Sequence, residues 1–181
     1  MKKRDFLGLP TLIWVNSFRI PSPLPSKAFG EFVEHAYDTP RVPPEEVKAM
    51  MDRGEKMVVL DSRPMSEYVQ MNIPTGIDCP GAELAYRVHD LAPDPDTTVV
   101  VNCAGRTRSI IGAQSLINAG IPNKVVALEN GTMGWHLAGF QLERGQSRQF
   151  TDLSEEAKPK ARAAGRNTAP STSNPGSRNS S

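Results

Sequence analysis

The stretch Val99-Val100-Val101-Asn102-Cys103-Ala104-Gly105-Arg106-Thr107-Arg108-Ser109 constrains the fold more than any other part of the chain. Consecutive valines with no polar alternation read as a strand buried on both faces. A six-residue loop, Cys103 to Arg108, follows, and a helix is expected to start near Ser109. Similar apolar runs recur at Met57 to Leu60 and Val125 to Leu128, with a weaker one at Ile77 to Cys79 and a short first strand at Val42. Helical patterns separate them. Pro44 suits a helix start, Glu45 and Glu46 its positive end, and Gly54 its stop. Leu84, Val88 and Leu91 share one helical face, and the helix after the loop carries Ile110, Ile111, Ala113, Leu116 and Ile117 before Gly120 and Pro122 end it. A last helix carries Trp135 and Leu137. Apolar strands alternating with helices predict an α/β fold, an open parallel sheet of about five strands covered by helices on both faces. In such sheets ligands bind at the carboxyl ends of the strands, where Cys103 lies.

A cysteine at the crossing from strand to helix faces backbone N–H groups that the helix start leaves unpaired, and the helix dipole favours negative charge there. Arg106 and Arg108 in the same loop act in the same sense. Cys103 is therefore expected to be available as a thiolate at neutral pH, a nucleophile for an anionic electrophile. Cys79 is read instead as a small buried hydrophobe.

The flanks differ from this pattern. Residues 1–40 read as irregular, with an extended linker at Pro21, Pro23 and Pro25 and a short helix from Lys27 to His35. Met1-Lys2-Lys3-Arg4 and the apolar run from Phe6 to Val15 look superficially like a signal peptide, but Asp5 and Pro10 interrupt it and no small-x-small site follows. From Gln146 to Ser181 polar residues dominate, no aromatic follows Phe150, and a disordered tail is expected. The compact domain is accordingly assigned to residues 41–145.

Ordered motifs in that domain resemble the rhodanese family of sulfurtransferases. In that family the catalytic cysteine opens a six-residue loop between a central strand and a helix, as Cys103 to Arg108 does here. Val58 to Arg63 resembles the strand ending in Asp-x-Arg. Ser66-Glu67-Tyr68 followed by Ile73-Pro74 resembles the acidic-aromatic turn and Ile-Pro segment. Glu129 to Trp135 resembles the late glycine-tryptophan signature, with Asn130 where glycine is more usual. The words from Asn102 to Ser109 are similar to one repeat of multi-domain rhodaneses. Two departures stand out: Gly105 is third in the loop with Arg106 fourth, and the Gly-His-Ile-Pro-Gly-Ala segment reads Met71 to Gly76.

The resemblance implies a sulfurtransferase that takes a sulfane sulfur from thiosulfate or a persulfide onto Cys103 and passes it to cyanide or a thiol, a protein thiol included. Backbone N–H groups of Ala104, Gly105, Arg106, Thr107, Arg108 and Ser109 are expected to hold the transferred sulfur, with Arg108 and Arg106 on the anionic donor. Asp61 and Arg63 are expected to brace the loop. Two alternatives use the same architecture: a sulfur-carrier or regulatory binding module of low turnover, and a cysteine phosphatase or arsenate reductase. The latter need Cys-x5-Arg, and here the sixth residue after Cys103 is Ser109. No cofactor is called for. His35, His89 and His136 have no partners at ligand spacing, so no metal is expected. A net charge of +1 in 181 residues gives no reason to expect nucleic acid or a membrane as partner. Two cysteines suit a reducing, cytoplasmic setting.

Overall fold

The structure is a computed structural model, and it describes residues 32–33 and 36–168. The linker at Pro21 to Pro25, most of the helix expected from Lys27 to His35, and the last part of the tail lie outside the described residues.

Five parallel strands form one sheet in the order β1-β5-β4-β2-β3. They are β1 (Arg41–Val42), β2 (Met57–Asp61), β3 (Ile77–Asp78), β4 (Thr98–Asn102) and β5 (Val125–Leu128). The helices are α1 (Pro44–Asp52), α2 (Met65–Tyr68), α3 (Leu84–Leu91), α4 (Thr107–Asn118), α5 (Gly131–Leu137) and α6 (Ala157–Thr168). The central strand β4 pairs with β2 from Met57↔Thr98 to Asp61↔Asn102 and with β5 from Val99↔Val125 to Val101↔Ala127. Side chains alternate between the faces of a strand. Val99 and Val101 therefore join Leu60, Leu84, Val88, Ile110 and Leu116 in one core layer. Val100 joins Val47, Val59, Val126, Leu128 and Trp135 in the other. Each valine so buried contributes roughly 1.5–3 kcal/mol. This two-sided burial is why β4 has no polar alternation.

Local chemistry sets the element ends. Pro44 takes the first position of α1, where its missing N–H costs nothing. Helix α4 starts at Thr107 rather than near Ser109, so the irregular part of the loop is shorter than the sequence pattern predicts. In α5, Trp135 is buried and its indole N–H donates to the Gln141 carbonyl at 2.9 Å, whereas Leu137 is exposed and adds nothing to the core.

The expectation of disorder from Gln146 onward is corrected through Thr168. Residues 143–149 run beside the segment from Asn72 to Asp78, which ends in β3 at the edge of the sheet. Asn72 and Glu143 form an antiparallel bridge, and the Asp78 N–H donates to the Arg148 carbonyl at 2.9 Å. Arg148 Nε donates to the Gly76 carbonyl at 3.0 Å, and its guanidinium pairs with Glu143. This strap covers an edge that would otherwise offer unpaired backbone groups. Phe150 then packs on the core and under the Arg87 guanidinium, 4.5 Å from its ring centroid. Ser154 binds Asp90 through its N–H (2.9 Å) and hydroxyl (2.6 Å), and its Oγ accepts the Ala157 N–H at 3.1 Å, capping α6. Helix α6 lies against α3 through Ala157, Ala161 and Ala164, all buried at helical spacing. Its contact face is small-residue packing, which a count of aromatic and large aliphatic residues does not register.

Candidate active site

Cys103 follows β4 directly and is buried, with 2 % of its surface exposed. The start of α5 fixes the orientation of the loop behind it. Thr132 N–H donates to the Cys103 carbonyl at 2.8 Å, and Met133 N–H donates to the Ala104 carbonyl at 3.0 Å. A trans peptide points its C=O and the next N–H in opposite directions. With those carbonyls turned toward α5, the Ala104 and Gly105 N–H groups point away from it. Thr107, Arg108 and Ser109 supply the first-turn N–H groups that a helix leaves without intrahelical partners.

Gly131 makes this approach feasible. Its φ is +54°, and a Cβ there would sit 2.2 Å from the Cys103 carbonyl oxygen and 2.6 Å from that of Gly105. Asn130 before it is also left-handed, φ 55°, a conformation asparagine tolerates better than most residues. That accounts for asparagine in a place where glycine is usual.

Beneath the loop lies a buried polar network. Arg63 grips Asp61 with Nε (2.8 Å) and a terminal nitrogen (2.7 Å), and donates to the Met71 carbonyl at 2.7 Å. Asn102 Nδ2 donates to Asp61 at 2.8 Å and to Thr132 Oγ1 at 3.0 Å. The Asn102 carbonyl accepts from Ser62 through both its N–H and Oγ, each at 2.8 Å. The residue before Cys103 is thus tied to β2, to the turn after it and to α5. Breaking a buried pair of this kind costs several kcal/mol, about 3–5, because a charge is left uncompensated.

The six loop residues do not share one environment. Arg108 donates through both terminal nitrogens to both Glu67 carboxylate oxygens, at 2.8 and 2.7 Å. That hydrogen bond holds Glu67 below its ordinary carboxylate value and raises Arg108. Arg108 therefore rests on Glu67 rather than pointing alone at a donor. Arg106 stands at the N-cap position of α4, without a side-chain capping hydrogen bond, and lines a cavity of about 200 Å3 with Arg41, Ile110, Glu129 and Asn130. The Ser109 hydroxyl is turned back on the loop and donates to the Arg106 carbonyl at 2.8 Å.

Two further groups near the network are buried. Burial, with the Asp61 charge adding to it and Arg63 opposing, pushes the Asp78 carboxyl up to about 6, and neither of its oxygens has a hydrogen-bond partner. Burial pushes the Cys79 thiol up to about 12, which keeps it neutral and unreactive. Among the described residues no group of three or more His, Cys, Asp or Glu side chains is placed to hold a metal ion. No described helix is long and apolar enough to cross a membrane.

Ser62, Asn102, Gly131 and Thr132 fall within the sequence motifs above, and Asp78 within the expected strand Ile77 to Cys79, but the sequence assigns none of them a role in the site. Glu67 likewise falls in the Ser66-Glu67-Tyr68 turn, and nothing in its spacing links it to Arg108, forty-one residues away.

A parallel α/β sheet with a cysteine loop at the end of its central strand defines the class, and the comparisons give the family. Residues 43–138 match the rhodanese-like domain model, and the chain belongs to that family. It is similar to a thiosulfate sulfurtransferase from Pseudomonas aeruginosa of known structure, with 58% identity and a TM-score of 0.77 over 78% of this chain and 27% of that one. It is 33% identical over 94 residues to an HTH-type transcriptional regulator of Mycobacterium tuberculosis, covering 52% of this chain and 40% of the regulator. A Rhodopseudomonas palustris protein described as a possible tyrosine phosphatase shares the fold at 23% identity, with a TM-score of 0.55 over 68% of this chain and 99% of that one. The chain thus spans well under two thirds of the first two relatives.

Proposed function

We propose that this chain is a sulfurtransferase that carries sulfane sulfur as a persulfide on Cys103. The observation that supports it best is the loop geometry: carbonyls of Cys103 and Ala104 are held on α5, which turns the Ala104 and Gly105 N–H groups away from α5 and frees them for an anionic sulfur. The thiolate attacks the outer sulfur of the donor. The new S–S bond to Cys103 forms as the donor's own S–S bond breaks, and sulfite leaves from thiosulfate, or a thiolate from a persulfide. A cyanide or thiol acceptor then attacks the outer sulfur and frees the Cys103 thiolate, a two-step exchange with ping-pong kinetics. Partial negative charge on the outer sulfur is met by loop N–H groups from Ala104 to Ser109. Asp61 and Arg63 act as positioning residues through Asn102. A setting that keeps thiols reduced, such as the cytoplasm, suits this chemistry.

The likeness to part of a transcriptional regulator favours a second reading, a sulfur-carrying or sensing module of low turnover. One experiment addresses both. Thiosulfate should add the mass of one sulfur atom to the intact protein, removable by cyanide or dithiothreitol. Cys103→Ser should abolish the adduct and turnover, and Cys79→Ser should retain most of both. Persistent turnover in Cys103→Ser refutes the assignment; stoichiometric loading without turnover selects the module.

A further inference from the structure

The charge beside Cys103 comes from an ion pair rather than a lone cation. Arg108 stands in the first turn of α4, and its guanidinium meets the Glu67 carboxylate fork to fork at 2.8 and 2.7 Å. The pair joins α2 to α4, and both side chains are about two-fifths exposed, at 42% and 41%. Arg108 closes the six-residue loop that Cys103 opens, so the pair stands at the rim of that loop. The hydrogen bond from Arg108 holds the Glu67 carboxyl below its ordinary value, with the Arg63 charge acting in the same sense, so the carboxylate stays ionised. A dianion approaching Cys103 meets a guanidinium already neutralised and a carboxylate next to it. To use Arg108 fully it must displace Glu67, which remains nearby as a repelling charge.

We propose that Glu67 is a specificity-determining residue of this site, selecting against dianionic thiosulfate and for a persulfide donor that carries one negative charge or none. The proposal rests on the sulfur-transfer reading of Cys103 and names the donor class for it. The step balances. The Cys103 thiolate attacks the outer sulfur of R–S–SH, a new S–S bond forms as the donor's S–S bond breaks, the thiolate R–S⁻ leaves, and Cys103 becomes the persulfide S–SH with no net oxidation.

Glu67→Gln keeps the shape and a carbonyl oxygen for Arg108 while removing the charge. Two ratios are measured on the full chain. The first is kcat/KM for thiosulfate over that for N-acetylcysteamine persulfide. The second is the rate of Cys103 alkylation by iodoacetate over that by iodoacetamide, followed by intact mass, which requires no sulfur transfer. In Glu67→Gln the first ratio should rise about tenfold, as expected for removing one negative charge near a dianion at a protein surface. The second should rise by a smaller factor because iodoacetate is a monoanion. Arg108→Gln, which leaves Glu67 uncompensated, should move both ratios the opposite way. An alkylation ratio unchanged in both variants overturns the proposal. A changed alkylation ratio with an unchanged donor ratio overturns the donor assignment. A changed alkylation ratio with no sulfur loaded on Cys103 from any donor overturns the sulfur-transfer reading and the donor assignment with it, leaving only the local charge effect.

Discussion

Asp78→Asn should stabilise this protein at neutral pH and not at acid pH. Asp78 ends β3, in register with Asp61 of β2, and its side chain is fully buried with both carboxyl oxygens unpartnered. Burial and the neighbouring Asp61 charge raise it from 3.8 to about 6. The folded state therefore holds a proton on Asp78 more tightly than the unfolded state does. Between roughly pH 4 and 6 the folded state carries more protons, so stability falls as pH rises, and above about 6 the loss is complete. That difference corresponds to at most about 3 kcal/mol at pH 7.5. Relaxation toward Arg63 reduces it, and about 1–2 kcal/mol is a realistic gain. For a domain of this size each kcal/mol moves Tm by roughly 2–4 °C. Thermal unfolding of both proteins at pH 4, 5 and 7.5 measures it. The asparagine variant should melt a few degrees higher at pH 7.5, with the gap closing toward pH 4. A variant less stable than the parent at pH 7.5, or a gap that does not vary with pH, refutes the reasoning.

Two further substitutions test the site and the fold. Gly131→Ala places a Cβ 2.2 Å from the Cys103 carbonyl oxygen at a φ of +54°; displacing the loop should lower sulfur transfer by about a hundredfold and cost about 2 kcal/mol in denaturant unfolding. If its turnover equals that of the parent, α5 does not set the loop. Ala161→Asp puts a charge on the face of α6 buried against α3; it should cost about 2–4 kcal/mol in urea and expose α6 amides to hydrogen exchange. Unchanged exchange in α6 would show that the helix does not pack there.

Much of the fold was legible because its signals are local. β4 is buried on both sides, so its sequence lacks alternation, and Pro44, Gly54 and Gly120 mark helix ends by their own backbone preferences. The strap and α6 were illegible for a composition argument. Arg148, Phe150 and Ser154 hold the segment through specific contacts of single side chains, and α6 buries alanines, so no long apolar run announces the segment. A capping serine followed by alanines at positions 157, 161 and 164 was the available signal.

At the site, the cysteine and its loop could be read from the chain, and the charge around them could not. Counting arginines near Cys103 treats each as a bare cation, yet the field at a thiol depends on what each guanidinium already holds. Asp61 and Arg63, two residues apart, could be recognised as a pair from their motif; Glu67 and Arg108 meet only because β2 and β4 are adjacent and the segments after them turn toward each other. The same adjacency sets Asn102 beside Asp61. The loop's polarity has a similar origin. The peptide carbonyls of Cys103 and Ala104 face α5 because Gly131 allows α5 to begin against them. The proposed nucleophile is one residue in one loop. The orientation of that loop and the charge around it come from contacts with β2, α2 and α5, assembled by the parallel order of the sheet.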